Sequence, residues 1–570
     1  MYFLALAADF DGTIAHDGRV LPETLAALRQ LRLTGRRLLL VTGREVADVL
    51  SLLPDPKVFT YIIAENGAVL YDPASRAEQV LGPPPPASLL SRLREKQVAP
   101  LSVGRCVLAT FEPHQAAILE AIHDLGLELQ ISFNKGAVMV LPSGINKATG
   151  LQAALAGLEI AASNVVGVGD AENDHSFLSI CGCSAAVANA VPMIRQNADL
   201  VLAGDHGAGV TELVDRLINE DVALAPAGKH GPWLGHDRDG GKVYPRPGDG
   251  CILLVGPSGS GKSTLATAMT ERIVDLRLEF TVIDPEGDYL DLCDAIRIGS
   301  SEAPPNATEA LRLIAQAGLN VVVNTQAMSM ESRQALFDNF LQQASYLRSR
   351  TGRPHWLIFD EAHELLPATA SPTKSALRHQ DLTAAVLVTL HPKHLSREAL
   401  SAVHLIVALG AAPAELLRDF ARLTGVAEPE CPEIARGEVL CWRPAGTGEV
   451  LALRLEPPRQ DHRRHAGKYA IGDVGEQRSF YFHDLQGNRF IKAHNLYAFL
   501  DQSCTINDQS WQKHLRCGDF SAWFRHVIRD EGLAREAARV EADDTLSAAE
   551  ARQLIRKAIW RRYAAPAQCS

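Results

Sequence analysis

Apolar positions along the first 225 residues gather in short runs separated by longer Leu- and Ala-rich stretches. The runs are Phe3–Ala8, Arg37–Val41, Tyr61–Ala64, Asn164–Val168 and Ala185–Ala188. Short buried runs alternating with helical stretches predict βαβ units around a parallel sheet. Four consecutive prolines, Pro83–Pro86, break the pattern, and the residues after them repeat a helix-then-strands order. That segment, about 84–142, is expected to be an inserted cap. The stretch Ala225–Gly250 is rich in Gly, Pro and His and predicts a linker or lead-in loop. From Cys251 to Pro458 a second α/β pattern runs. After Pro457-Pro458 a third segment begins with aromatic, strand-like pieces and ends in charged, Ala-rich helices. Three domains follow from this reading, over 1–225, 226–458 and 459–570.

Length agrees, since 570 residues exceed what one hydrophobic core supports. With 46% apolar and 22% charged residues, the composition is that of an ordinary globular chain. The net charge of −11 argues against a surface coated for nucleic acid, although a local basic patch stays open. From Arg459 onward, 18 Lys and Arg stand against 14 Asp and Glu, so the acidic excess lies before that point. The ten cysteines form no CxxC pair, which speaks against a zinc or disulfide framework and fits a reducing compartment. The opening MYFLALAADFDG reads as a buried strand and not as a leader. No run of 18 apolar residues occurs, so no membrane partner is expected and the cytoplasm is the expected location.

Chemistry-bearing residues sit just past the apolar runs. Asp9-Phe10-Asp11-Gly12-Thr13 follows the first. Two carboxylates at i, i+2 can face one crevice where a strand ends, and Gly12 permits the turn. Grouped carboxylates suit Mg²⁺, a hard cation that takes oxygen ligands. An aspartate can also attack phosphorus and carry the phosphoryl group. Thr42-Gly43-Arg44 ends the second run and offers phosphate a hydroxyl and backbone N–H groups. Lys147 follows Ser143–Asn146, and Val165–Val168 delivers Gly169-Asp170-Ala171-Glu172-Asn173-Asp174. Ligands of open α/β sheets bind at such strand ends.

These four pieces, in this order, resemble the haloacid dehalogenase superfamily of phosphatases. The subgroup is the one with its cap between the second and third motifs (subfamily IIB, the Cof, sugar-phosphatase and phosphoglycolate-phosphatase type). Ala64-Glu65-Asn66-Gly67-Ala68 and Ala188-Asn189-Ala190 recur in that subgroup. The resemblance implies a Rossmann-like domain with a small α+β cap, and it assigns roles. Asp9 is the nucleophile and a Mg²⁺ ligand, and Asp11 is the general acid/base. The backbone carbonyl of Asp11 and the Asp170 carboxylate complete the protein's metal ligands, with Asp174 holding or orienting the shell. Thr42, Gly43 and Lys147 neutralise the transferring phosphoryl group.

A second site begins at the apolar strand Cys251–Val255. Gly256-Pro257-Ser258-Gly259-Ser260-Gly261-Lys262-Ser263-Thr264 follows, and then a helical pattern. This is Walker A spacing in a strand–loop–helix context. The backbone N–H groups cradle phosphates, Lys262 reaches the β- and γ-phosphates, and Ser263 holds Mg²⁺. The strand His355–Phe359 ends in Asp360-Glu361, a Walker B pattern. Asp360 orients Mg²⁺ through water and Glu361 polarises the attacking water. Asp284-Pro285-Glu286-Gly287-Asp288-Tyr289, a strand over Leu319–Asn324 and Ala384–Thr389 ahead of Leu390-His391 follow the order of the DNA-translocase ATPases of the HerA, conjugative and FtsK type. That resemblance covers about 245–458 and implies a RecA-like P-loop domain, ATP as substrate and a ring-shaped homo-oligomer. Leu390 replaces the family's usual Gln, and His391 can stand in for it. Arg436 is the candidate trans-acting arginine.

The third segment interleaves aromatic and basic residues, as at Lys468-Tyr469, Trp511–His514 and Trp560–Tyr563. Such interleaving can stack single-stranded nucleic acid, but a small, mainly helical domain with an aromatic core is the favoured expectation. Lys468–Ala534 resembles a domain found appended to other enzymes, which implies no function.

The expected whole is an α/β phosphomonoester hydrolase, Mg²⁺-dependent, acting through an aspartyl-phosphate on a sugar phosphate or phosphoglycolate, fused to an ATP-hydrolysing domain. Two alternatives stay open. One is an ATP-driven nucleic-acid machine with an end-processing phosphatase, which the net charge does not favour. The other is a bifunctional kinase–phosphatase.

Overall fold

The computed structural model describes residues 1–134, 136–245, 250–289, 292, 294–368, 382–444, 448–459, 469, 475–483, 489–528 and 530–563. Its contacts divide the chain into two compact units. The first comprises Met1–Thr281, Ala307–Asn320 and Gln334–Pro457, and the second Val282–Asn306, Val321–Arg333 and the chain from Pro458 onward.

The N-terminal part of the first unit is built on an eight-stranded sheet. From edge to edge its strands are Leu200–Val201, Cys183–Ala186, Val165–Gly169, Ala5–Asp9, Arg37–Val41, Tyr61–Ala64, Val69–Asp72 and Ala77–Val80. The strands from Leu200–Val201 to Tyr61–Ala64 are parallel, and the last two fold back antiparallel. Every residue of Ala5–Asp9 and Val165–Gly169 is buried, as expected for strands covered on both faces. The cap follows the predicted order. Helices Ala87–Glu95 and Gln115–Asp124 back a four-stranded sheet of order Leu129–Asn134, Ala137–Pro142, Leu108–Phe111, Ser102–Val103. It has its own small core around Leu89, Leu93, Ile118, Val138 and Val140.

The stretch Ala225–Gly250, expected to be a linker, is ordered wherever it is described. It forms helix Ala227–His230 and strands Gly235–His236 and Lys242–Val243, which extend a second sheet through Val450–Leu455. Two of its glycines, Gly231 and Gly235, serve close packing. A β-carbon on Gly235 would stand 2.3 Å from the Arg454 carbonyl oxygen, and one on Gly231 would stand 1.7 Å from that of Pro245.

Within the first unit this second sheet runs Lys242–Val243, Gly235–His236, Val450–Leu455, Glu438–Trp442, Val403–Ala408, Cys251–Val255, Ala385–Thr389, Trp356–Phe359. The Walker A strand Cys251–Val255 is central and parallel to both neighbours, and the strands beyond Val403–Ala408 are antiparallel.

The two sheets of the first unit meet through buried polar bonds. His355, at the start of the Walker B strand, lies 2.7 Å from Ser163 Oγ and 3.1 Å from Asn164 Oδ1. Asn164 stands at the start of the strand that leads to Asp170. His230 bonds Tyr2 Oη at 2.6 Å and the Gly182 carbonyl at 2.7 Å, and its own carbonyl accepts the Trp356 indole N–H at 3.2 Å.

In the second unit, Asp284 turns its carboxylate back on its own loop and accepts the N–H groups of Gly287, Asp288 and Tyr289. The chain from Pro458 onward contributes hairpin Phe480–His483/Arg489–Ala493 and helices Leu496–Gln502, Asp508–Cys517, Asp519–His526, Glu531–Glu541 and Ala548–Tyr563. Phe480, Phe482, Phe499, Trp511, Phe520, Trp523 and Phe524 are its core. Trp511 therefore packs on Phe520 and Trp523 stacks on Phe499 inside this core, while Trp560 is exposed. Lys468 of the predicted basic–aromatic set lies outside the described residues.

Candidate functional site

Strand Ala5–Asp9 lies between Arg37–Val41 and Val165–Gly169, so Asp9, Thr42 and Asp170 emerge at one edge of the sheet. Lys147 joins them from the first turn of helix Lys147–Leu158. The Asn146 side chain caps this helix by accepting the N–H groups of Ala148 and Thr149. Lys147 is buried, and its Nζ donates to Asp9 Oδ1 at 2.6 Å and to Asp174 Oδ1 at 2.5 Å. Asp174 Oδ2 accepts the N–H groups of Asp170 and Ala171, both at 2.9 Å, and Asp170 Oδ1 accepts the Thr13 hydroxyl at 2.8 Å.

Asp9, Asp170 and Asp174 are all buried and can each turn one oxygen to within 4.8 Å of the others. Three carboxylates against one ammonium leave surplus negative charge. Burial, and then the Asp174 charge, push the Asp9 carboxyl well above its ordinary range. Burial alone would push Lys147 down, but the Asp174 and Asp9 charges outweigh it and hold the ammonium above its ordinary value. This donor set fits a hard divalent cation such as Mg²⁺. The Asp11 carboxylate is not part of the cluster. Arg44 holds it at both ends, with Nε at 2.6 Å and Nη2 at 2.8 Å. Thr42 is buried, and its Oγ1 accepts the Arg44 N–H at 3.2 Å.

Three further residues, which the motif reading left without a role, fix the cap and the lysine. Glu65 and Asn66 both take left-handed φ, 49° and 55°. The buried Glu65 carboxylate accepts the backbone N–H groups of Arg105, Cys106 and Val107 from the cap. Asn66 meets Met139 of the cap and Asn173 of the GDAEND loop. Gly67 packs against the start of the lysine helix. Their signal in the sequence was the Ala64–Ala68 motif, whose spacing says nothing about what it grips.

At the second site, Lys262 opens helix Lys262–Asp275, and Gly259 and Gly261 take left-handed φ of 79° and 99°. The Lys262 ammonium donates to the carbonyls of Gly256 and Pro257 at 2.9 and 3.1 Å. Ser263 Oγ lies 3.3 Å from Asp360 Oδ2, which joins Walker A to Walker B, while Thr264 is exposed. Glu361 follows, with φ of 42°. His363 Nδ1, a residue without a predicted role, stands 3.3 Å from Glu361 Oε2 and 3.4 Å from Thr389 Oγ1. His391, which could stand in for the missing Gln, is turned to Asp419 at 3.1 Å. Arg436 is exposed on the turn before Glu438–Trp442.

Among the described residues no helix is long and apolar enough to cross a membrane. Two families match the chain. The haloacid dehalogenase-like hydrolases match residues 6–81 and 102–214, and the AAA ATPase domain matches residues 243–390. A phosphoglycolate phosphatase of Methanothermobacter thermautotrophicus is 31% identical over 223 residues, which is 38% of this chain and 98% of that protein. Phosphoglycolate phosphatase 2 of Saccharolobus solfataricus is 25% identical over 227 residues, 38% of this chain and 93% of that protein. A glucosylglycerol-phosphate synthase of Pseudomonas anguilliseptica is 35% identical over 196 residues, 31% of this chain and 25% of that protein.

Proposed function

The chain belongs to the haloacid dehalogenase-like hydrolases, and on that premise we propose that it is a Mg²⁺-dependent phosphomonoesterase of small phosphorylated metabolites that works through an aspartyl-phosphate. The observation that carries this reading is Lys147 bonded at once to Asp9 and Asp174, with Asp170 beside them. Asp9 attacks phosphorus as the bond to the leaving oxygen breaks, and Asp11 gives that oxygen its proton. Asp11 then takes a proton from water as the water oxygen attacks phosphorus, which frees Asp9 and releases phosphate. Lys147 and the Thr42–Gly43 turn stabilise the charge on the transferring group. Bound Mg²⁺, held by Asp9, Asp170, Asp174 and the Asp11 carbonyl, would supply further neutralisation. The similar phosphoglycolate phosphatases favour phosphoglycolate or a comparably small phosphate ester as substrate.

The AAA ATPase domain binds and hydrolyses ATP in this reading, with Lys262 on the phosphates, Ser263 and Asp360 holding Mg²⁺, and Glu361 polarising the attacking water. We assign it to the HerA-like type in a cytoplasmic ring. The nucleic-acid alternative is weakened because the aromatics at Trp511 and Trp523 serve a core. The test is phosphate release from a panel of phosphoglycolate, sugar phosphates, nucleotides and 3′-phosphorylated DNA, using wild type, Asp9→Asn and Lys262→Ala. The reading requires a small ester to be hydrolysed, Asp9→Asn to abolish this and Lys262→Ala to spare it. Reaction with DNA ends alone would overturn it.

A further inference from the structure

A cavity of about 1080 Å³ lies within the first unit between the N-terminal domain and the P-loop domain. Its P-loop side is one face of helix Met330–Thr351, where Asn339, Gln342, Ser345 and Arg348 recur at helical spacing. Residues three apart on a helix are neighbours, so Ser345 and Arg348 stand side by side. Tyr2 and Asp221 line the facing wall.

Among the described residues, two donors here lack partners. Ser345 Oγ is buried and makes no hydrogen bond. Arg348 has no hydrogen bond or ion pair among the described residues. Asp221 does not serve it, since its oxygens accept the N–H groups of Tyr2 and Phe3 and the Arg36 guanidinium at 2.9 Å. Burial also pushes the Arg348 guanidinium below its ordinary pKa. A half-buried guanidinium that faces a cavity, with no counter-charge among the described residues, favours an anion as its partner. A guanidinium presents a fork that matches phosphate oxygens, and an adjacent hydroxyl can meet a third.

We propose that this interdomain cavity binds a phosphate-bearing small anion through the Arg348 guanidinium and the Ser345 hydroxyl. The site is separate from the reacting carboxylates. Tyr2 precedes strand Ala5–Asp9, whose far end carries Asp9, and seven residues at strand rise put the two about 20 Å apart. Because its walls come from both domains, an occupant bridges them. The ligand is either free inorganic phosphate or a phosphate group on a metabolite.

The test is hydrogen exchange across residues 339–352 in the full chain carrying Asp9→Asn, titrated with inorganic phosphate and separately with a sugar phosphate. At least one probe should slow exchange there saturably, and which one does so identifies the source. Arg348→Gln should weaken that protection by about tenfold or more, and Ser345→Ala by a smaller factor. Without phosphate, Arg348→Gln should melt no lower than its parent, because it removes an unpaired charge. No protection by either probe, equal protection in Arg348→Gln, or a clear drop in its melting temperature without ligand would overturn the proposal.

Discussion

Arg44 grips the Asp11 carboxylate from two sides, Nε to Oδ2 at 2.6 Å and Nη2 to Oδ1 at 2.8 Å. Both side chains are about a third exposed at the mouth of the site, so the pair orients Asp11 more than it stabilises the fold. A general acid must stand within hydrogen-bond reach of the leaving oxygen, and small misplacements are costly in rate. Arg44→Ala should therefore lower kcat/KM about 10- to 100-fold while the melting temperature moves little. Steady-state kinetics check this, and a change under twofold would refute the role.

Gly67 sits at φ 101°, and a β-carbon there would stand 1.9 Å from the Asn146 carbonyl oxygen and 3.2 Å from Lys147 N. Gly67→Ala should displace the start of the lysine helix. The left-handed backbone and the overpacking together should cost about 2–4 kcal/mol. Denaturant unfolding should show that loss, and phosphate release should fall with it because Lys147 no longer meets Asp9 and Asp174.

His230 is fully buried, and burial pushes its imidazole down to about 4 from 6.5. The folded protein therefore holds it neutral. A folded pKa below the unfolded one gives stability that is complete above pH 6.5 and lost as the pH falls toward 4. The loss is on the order of 3 kcal/mol. Unfolding free energy measured across that window should fall more steeply for wild type than for His230→Gln. Equal slopes would contradict the assignment.

His363 stands between Glu361 and Thr389, at 3.3 and 3.4 Å. That places its ring against the residue proposed to polarise water, which predicts a positioning role. His363→Ala should lower the kcat of ATP hydrolysis about tenfold or more and leave nucleotide affinity within a few-fold. An affinity loss matching that of Lys262→Ala would instead place His363 in binding.

The candidate residues of each site could be picked out because their spacings are short, and the fold brings Asp9, Lys147, Asp170 and Asp174 together, and Ser263 to Asp360. Asp9 and Asp11, Asp170 and Asp174, Lys262 and Ser263 each sit beside an apolar strand that fixes where they emerge. Partners distant in sequence were not legible. Nothing near Glu65 indicates that its carboxylate closes on cap amides about forty residues later. The Gly- and Pro-rich stretch after Ala225 has the composition of a linker, yet it pairs with Val450–Leu455. His391 could stand in for the missing Gln by its place after Leu390, but its ring meets Asp419 on the helix Pro413–Thr424, a partner that local spacing does not show. Burial of the Trp511 and Trp523 rings likewise depends on tertiary packing that local charge does not report.

The central claim is that Asp9 carries the phosphoryl group. The direct measurement is acid-quenched peptide mapping by mass spectrometry after brief turnover of a hydrolysed phosphomonoester with Mg²⁺. The account predicts one phosphoryl group on the peptide containing Asp9, labile to hydroxylamine and absent in Asp9→Asn. Turnover with no phosphoryl group on that peptide, or with activity retained in Asp9→Asn, would contradict it.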